Sequence, residues 1–225
     1  MTRSFVGETR RRGLGTRRER IGPIVERLAT EHADAEIALN FGSDVELLIS
    51  VILSAQTTDV NVNRVTTRLF EKYSKPEDYL AVPVEELEQD VYQTGFYRQK
   101  TKSIRGTMRM LLEEFDGVVP RRLEDLLRLP GVARKTANVV AAELGEAQGI
   151  VVDTHVRRLA QRLALTRADD PVKIELDLQK VVPRADWARL PHLLIWHGRR
   201  VCDARRPRCD DCVLADLCPS ARVGA

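Results

Sequence analysis

Two side chains of this 225-residue chain are placed where they could do covalent chemistry, and four more where they could hold a metal. Lys135 lies in residues 129–142, LPGVARKTANVVAA, and Asp153 follows it by 18 residues in VVDTHV. An uncharged lysine amine is a nucleophile toward electrophilic carbon, and a carboxylate beside developing positive charge stabilises that charge. Cys202, Cys209, Cys212 and Cys218 are spaced C-x6-C-x2-C-x5-C, and no cysteine occurs in the first 201 residues. Scattered core thiols would not cluster in this way, so the pattern points to a metal site rather than to disulfides. The spacing leaves zinc and an iron-sulfur cluster both open. Structural zinc usually takes paired CxxC knuckles or a Cys/His mixture, and four thiolates also suit [4Fe-4S].

The two chemical side chains need elements that hold them. Pro130-Gly131 is a turn dipeptide, preceded by Leu126, Leu127 and Leu129 as the apolar face of a short helix. A second helix starts near Ala133, with Ala137, Val140, Ala141 and Leu144 at helical spacing. The stretch therefore reads helix, hairpin, helix. The N–H groups of the hairpin and of the first turn lack intrahelical partners and favour an anion, of which a nucleic-acid phosphate is the obvious case. Lys135 sits in that first turn, where the helix dipole disfavours a cation and should lower the amine pKa. Asp153 stands between the apolar run 150–152 and the pattern Val156, Leu159, Ala160, Leu163, the place of an N-cap. Plainer roles stay open for each: a solvated lysine beside Arg134, and a cap with no chemistry.

The rest of the chain reads as successive helices. Ile24, Val25 and Leu28 mark one, and Ser43 to Glu46 is a capping box opening another over 45–55 that is apolar nearly all round. Further helical patterns run through Val62, Val65 and Leu69, through Leu87 and Val91, and through Ile104, Met108, Leu111, Leu112 and Phe115. Gly95 and Gly117 are natural stops. Later helices open at Asp153, at Asp170-Pro171 and around 190–197, and nothing reads as a strand, so the expected fold class is all-α. No apolar run reaches membrane-spanning length and the N-terminus lacks a secretory apolar segment, which predicts a soluble intracellular protein; a monomer is expected. Residues 1–20 hold seven arginines against two glutamates, +5, whereas the whole chain is +3. That segment is expected to be a disordered basic tail, either an electrostatic tether or simply solvated. The remainder carries −2, so any nucleic-acid affinity of the folded body must come from local patches and backbone amides.

The LPGVARK hairpin with Lys135, Asp153 and the C-x6-C-x2-C-x5-C pattern together resemble the endonuclease III family, within the helix-hairpin-helix DNA glycosylase superfamily. The resemblance runs from about Ile21 to the end of the chain. It implies two helical domains: a six-helix domain over 37–148, with the helix-hairpin-helix at about 123–145, and an iron-sulfur cluster domain made from 21–36 and 149–225. It implies a cleft between them, with Lys135 and Asp153 on opposite sides of the boundary. Lys135 is then the amine nucleophile and Asp153 the catalytic carboxylate. The four cysteines hold a [4Fe-4S] cluster, which decides against zinc. The implied activity is that of a bifunctional DNA glycosylase and abasic-site lyase removing oxidised pyrimidines from double-stranded DNA, in the bacterial cytoplasm and nucleoid.

The same resemblance gives roles to further residues. Gln56, in SAQTTD, matches the residue that enters the space left by an extruded base, though alone it is a polar helix end. Phe96, in GFYRQKT, matches a second wedge where the family usually has leucine, and it could equally be a core aromatic. Gly131, Val132 and Ala133 would meet phosphate. Arg205, Arg206 and Arg208, in DARRPR between the first two cysteines, would present guanidinium groups to phosphates or merely keep the loop solvated. One departure stands out: the family hairpin usually reads LPGVG, and here the last position is Ala133. If that position takes a positive φ, alanine adds strain of about 1 kcal/mol and weakens phosphate anchoring. Two other readings remain: a monofunctional adenine or mismatch-specific glycosylase, and a non-enzymatic DNA-binding module with a redox cluster.

Overall fold

The computed structural model describes residues 5–224; Arg3 of the basic segment lies outside them. Among the described residues there is no strand, and the fold is all-α. The helices are α1 (Val6–Arg11), α2 (Arg17–Glu31), α3 (Asp44–Leu53), α4 (Asp59–Lys72), α5 (Pro76–Ala81), α6 (Val84–Val91), α7 (Tyr97–Glu114), α8 (Leu123–Leu126), α9 (Arg134–Glu143), α10 (Thr154–Arg162), α11 (Pro171–Gln179) and α12 (Arg189–Arg200). Short 3-10 turns lie at Tyr92–Thr94 and Arg184–Asp186. No helix is long and apolar enough to cross a membrane. The helices form two compact units, one spanning Ala38–Gln148 and the other made of the chain up to Ile37 and from Gly149 onward.

In the Ala38–Gln148 unit, α3 is the central helix, and every residue from 47 to 53 is buried. Its start differs in detail from the expected capping box. Ser43 Oγ accepts the Glu46 N–H at 3.2 Å, but the Glu46 carboxylate turns to the Gly42 N–H at 2.6 Å instead of closing on Ser43. Helices α4, α7 and α9 pack on α3. The buried stripe of α7 runs through Ile104, Met108 and Leu111, spaced as one helical face requires. Arg105 extends from α7 to the carbonyls of Tyr79, Leu80 and Val82, satisfying acceptors that the end of α5 leaves open. Gly117, at φ +77°, ends α7 by returning its N–H to the Leu111 carbonyl at 2.8 Å.

In the other unit, Ile24 and Leu28 of α2, Val156 and Leu159 of α10, Ile174 and Leu178 of α11, and Leu190, Leu193 and Leu194 of α12 form one core. The expected disorder of the basic N-terminal segment does not hold for residues 5–20. Thr16 forms a reciprocal capping box with Glu19 and opens α2 at Arg17, inside that segment. Arg20 is only 2% exposed and donates to the carbonyls of Leu163 at 2.7 Å and Leu217 at 3.1 Å. Arg17 donates to Leu165 O at 3.0 Å and Arg12 to Cys218 O at 2.6 Å. The physical reason is acceptor supply: the carbonyls of Leu163 and Leu165, at and beyond the end of α10, and of Leu217, in the cysteine loop, lack helical donors, and guanidinium groups provide them.

Candidate active site and cysteine loop

The hairpin is built against α7. Gly131 lies at φ +80°, and a Cβ there would fall 2.5 Å from the Cβ of Ser103, so both backbone conformation and space require glycine. Thr107 Oγ1 donates to the Pro130 carbonyl at 2.8 Å, and the Pro130 ring lies so close to Gly106 that a Cβ on that residue would meet it at 3.1 Å. Leu129 and Val132 are buried, and the Val132 N–H closes the turn onto Leu129 O at 3.1 Å. Val132 therefore shapes the hairpin. Ala133 is the N-cap of α9 at φ −84°, ψ 169°. The strain expected for alanine at this position is absent, because the left-handed residue of the hairpin is Gly131, two positions earlier. Ala133 offers no side-chain cap to the first turn of α9, and such a helix start favours an external acceptor. Lys135 is exposed in that same turn.

The two wedge candidates lie in the same unit, on loops following α3 and the 3-10 turn. Gln56 and Phe96 are both exposed non-glycine residues in the left-handed region, at φ 57° and 48°. With 64% of its surface exposed, Phe96 is not a core aromatic. Lys100, one turn into α7, is 4% exposed, and its Nζ donates to Leu53 O at 2.8 Å and Thr94 O at 2.7 Å. Burial pulls its amine down to about 8.

Asp153 belongs to the other unit and is the N-cap of α10, its Oδ1 accepting the Val156 N–H at 2.7 Å. The helix it opens extends to the cysteine loop. Arg158 donates to the carbonyls of Gly198 and Cys202, each at 3.0 Å. Arg162 donates to Asp203 O and Ala204 O, both at 2.7 Å, and places Nη1 3.1 Å from Cys202 Sγ. One helix thus carries the carboxylate at its start and anchors the loop at its end.

Cys202, Cys209, Cys212 and Cys218 all line one cavity of about 210 Å³, together with Arg162, Arg205 and Arg208. Among the described residues no group of three or more His, Cys, Asp or Glu side chains is set to hold one metal ion. Four thiols around one cavity fit the thiolate set that a [4Fe-4S] cluster needs. Burial pushes the Cys212 thiol up to about 11 and raises that of Cys218. Arg162 beside Cys202 is a donor suited to a bound thiolate, and His197 Nε2 lies 3.4 Å from Cys212 Sγ. Arg205 and Arg206 are exposed, their N–H groups held by Asp203 Oδ1 at 2.8 and 3.0 Å. Those backbone bonds hold the Asp203 carboxyl below the usual range. Arg208 is exposed too, but its guanidinium bonds the Arg200 carbonyl and braces the loop.

Three residues important to this architecture escaped the sequence reading: Lys100, Arg20 and Arg162. A signal did exist for Lys100, which lies four residues before Ile104 on the apolar stripe of α7. Arg20 and Arg162 had none, since their acceptors are backbone carbonyls far along the chain.

Residues 49–184 match the HhH-GPD superfamily base excision DNA repair protein family, and residues 202–218 match the iron-sulfur binding domain of endonuclease III. The endonuclease III of Synechocystis sp. is 48% identical over 213 residues, covering 94% of this chain and 97% of that protein. Two solved structures share 44% identity and a TM-score of 0.84, covering 91% of this chain and 96% of theirs: a non-covalent endonuclease III–DNA complex and a trapped endonuclease III–DNA covalent intermediate.

Proposed function

The chain belongs to the endonuclease III family of HhH-GPD base excision repair proteins, and we propose that Lys135 and Asp153 carry its glycosylase and abasic-site lyase chemistry. The enzyme is a bifunctional one, and its partner is DNA holding a damaged base or an abasic site. Oxidised pyrimidines are the proposed lesions. We place the reaction in the bacterial cytoplasm, in association with the nucleoid.

Extruding a base costs a few kcal/mol and is cheapest where the base is damaged. Gln56 and Phe96 fill the vacated stack, and the first turn of α9 takes a backbone phosphate. The Lys135 amine attacks the sugar carbon that bears the base. That bond breaks as the new C–N bond forms, and the base leaves with the electron pair and takes a proton. Asp153 stabilises the positive sugar and helps remove the lysine proton. The adduct opens to a Schiff base, loses the proton from the neighbouring carbon, and expels the 3′ phosphate by β-elimination. Water then frees the lysine.

Cys202, Cys209, Cys212 and Cys218 are the proposed holders of the [4Fe-4S] cluster, which fixes the 202–218 loop and has no part in the sugar chemistry. The loop then presents Arg205 and Arg206 to phosphates, with Arg208 bracing it.

The observation that carries this reading is an exposed lysine in the first turn of α9, directly after an uncapped hairpin suited to phosphate. Base release and strand nicking, measured separately on a duplex with one oxidised pyrimidine, test it. Lys135→Gln should abolish nicking, and nicking at the wild-type rate would overturn the assignment.

A further inference from the structure

Gln56 and Phe96 are 40 residues apart in the chain, yet the segments that carry them are joined twice. Lys100 Nζ bridges Leu53 O and Thr94 O at 2.8 and 2.7 Å, three residues before Gln56 and two before Phe96. Asn61 Nδ2 bridges Thr57 Oγ1 and Gln93 O at 2.9 and 2.8 Å, starting from the residue just after Gln56. The two bridges therefore bracket Gln56 and converge on the two residues that precede Gly95-Phe96.

A purely apolar packing role does not account for Lys100. Its amine is depressed by burial alone, with no carboxylate opposing the shift. An apolar side chain would fill the position without that desolvation cost. What an apolar side chain would lose is the link between the two carbonyls. Both prongs also have left-handed backbones, which for residues with a Cβ persist only where surrounding bonds hold them.

We propose that Lys100 and Asn61 are positioning residues that lock the Gln56 and Phe96 loops into one two-pronged wedge, so that both side chains enter the DNA stack together. This rests on the reading of Gln56 and Phe96 as stack-filling residues. The bridges make the prongs one preorganised body, and their ordering is completed on folding rather than on DNA. Base extrusion depends on the wedge, whereas cleavage at an existing abasic site has no base to extrude and depends on it less.

The test uses the full-length holoenzyme in single-turnover reactions on two duplexes of one sequence, one with an oxidised pyrimidine and one with a preformed abasic site. A 2-aminopurine next to the lesion reports unstacking by its fluorescence. Lys100→Met and Asn61→Ala should each slow base excision by about tenfold, equivalent to about 1.4 kcal/mol, and reduce the fluorescence rise. Abasic-site cleavage should fall by less than about threefold. In a background carrying both Gln56→Ala and Phe96→Ala, Asn61→Ala should have little further effect, as expected of coupled residues. Asn61 is half-buried on α4, so its variant does not carry the folding burden of the Lys100 variant.

Unchanged excision in both variants overturns the inference, as does an equal fall in excision and abasic cleavage, the mark of general structural damage. Gln56→Ala and Phe96→Ala separate the two levels. If neither slows excision, the wedge reading itself has failed. If they slow it while Lys100→Met and Asn61→Ala do not, only the positioning role has failed.

Discussion

Asp153 caps α10 through one carboxylate oxygen, Oδ1, which accepts the Val156 N–H at 2.7 Å. The bond leaves Oδ2 outside the cap, so the structural role does not use the oxygen that the proposed chemical role would need. Asparagine keeps the capping oxygen and removes the charge. Asp153→Asn should hold its thermal midpoint while excision falls by about a hundredfold or more, the scale of losing one preorganised electrostatic group. Asp153→Ala should add a stability loss of about 1 kcal/mol from the missing cap. Calorimetry and single-turnover kinetics on the two variants separate the roles, and full activity in Asp153→Asn would restrict the residue to capping.

The uncapped start of α9 sets up a conflict between stability and binding. Ala133 has the extended backbone of an N-cap without the side chain of one. Ala133→Ser should bond an N–H of the first turn and stabilise the protein by about 1 kcal/mol. The same bond should weaken affinity for abasic-site DNA by competing with phosphate. Fluorescence anisotropy checks this, and tighter binding by the serine variant would contradict the phosphate assignment.

Burial of Lys100 has a pH signature. Its amine titrates at about 8 in the folded protein, against about 10.4 in an unfolded chain. Below about pH 8 both states are protonated and the burial cost is present in full. Between about 8 and 10.4 the unfolded chain binds more protons, so stability rises with pH across that window. The wild-type stability minus that of Lys100→Met, from denaturant titrations, should shift in favour of the wild type there. A flat difference would contradict the buried, depressed amine.

The four-thiol cavity predicts a coloured protein. Purified without oxygen it should show broad visible absorbance, lost in Cys209→Ala together with the DNA affinity proposed for the 202–218 loop. A colourless protein containing one zinc per chain would contradict the cluster assignment.

The parts of the site that were legible in the sequence are local. Pro130-Gly131 followed by spaced alanines defines a hairpin and a helix within a dozen residues, Asp153 caps the helix it precedes, and the cysteines sit close in the chain. Arg20 was not legible, and Lys100 only through its place on the apolar stripe of α7, because charge ordinarily signals solvent. Their partners are carbonyls of Leu163, Leu217 and Leu53, which no composition or periodicity reveals. Ala133 shows a third limit. A family pattern of glycine at that position suggested strain, yet the backbone places the left-handed residue at Gly131, where alanine is not tolerated.

The most direct test of the account is borohydride reduction of the enzyme mixed with abasic-site DNA, followed by peptide mapping of the trapped product. A reducible adduct on Lys135, absent in Lys135→Ala while DNA binding persists, is the expected result. No adduct, or one on another amine that survives Lys135→Ala, would contradict it.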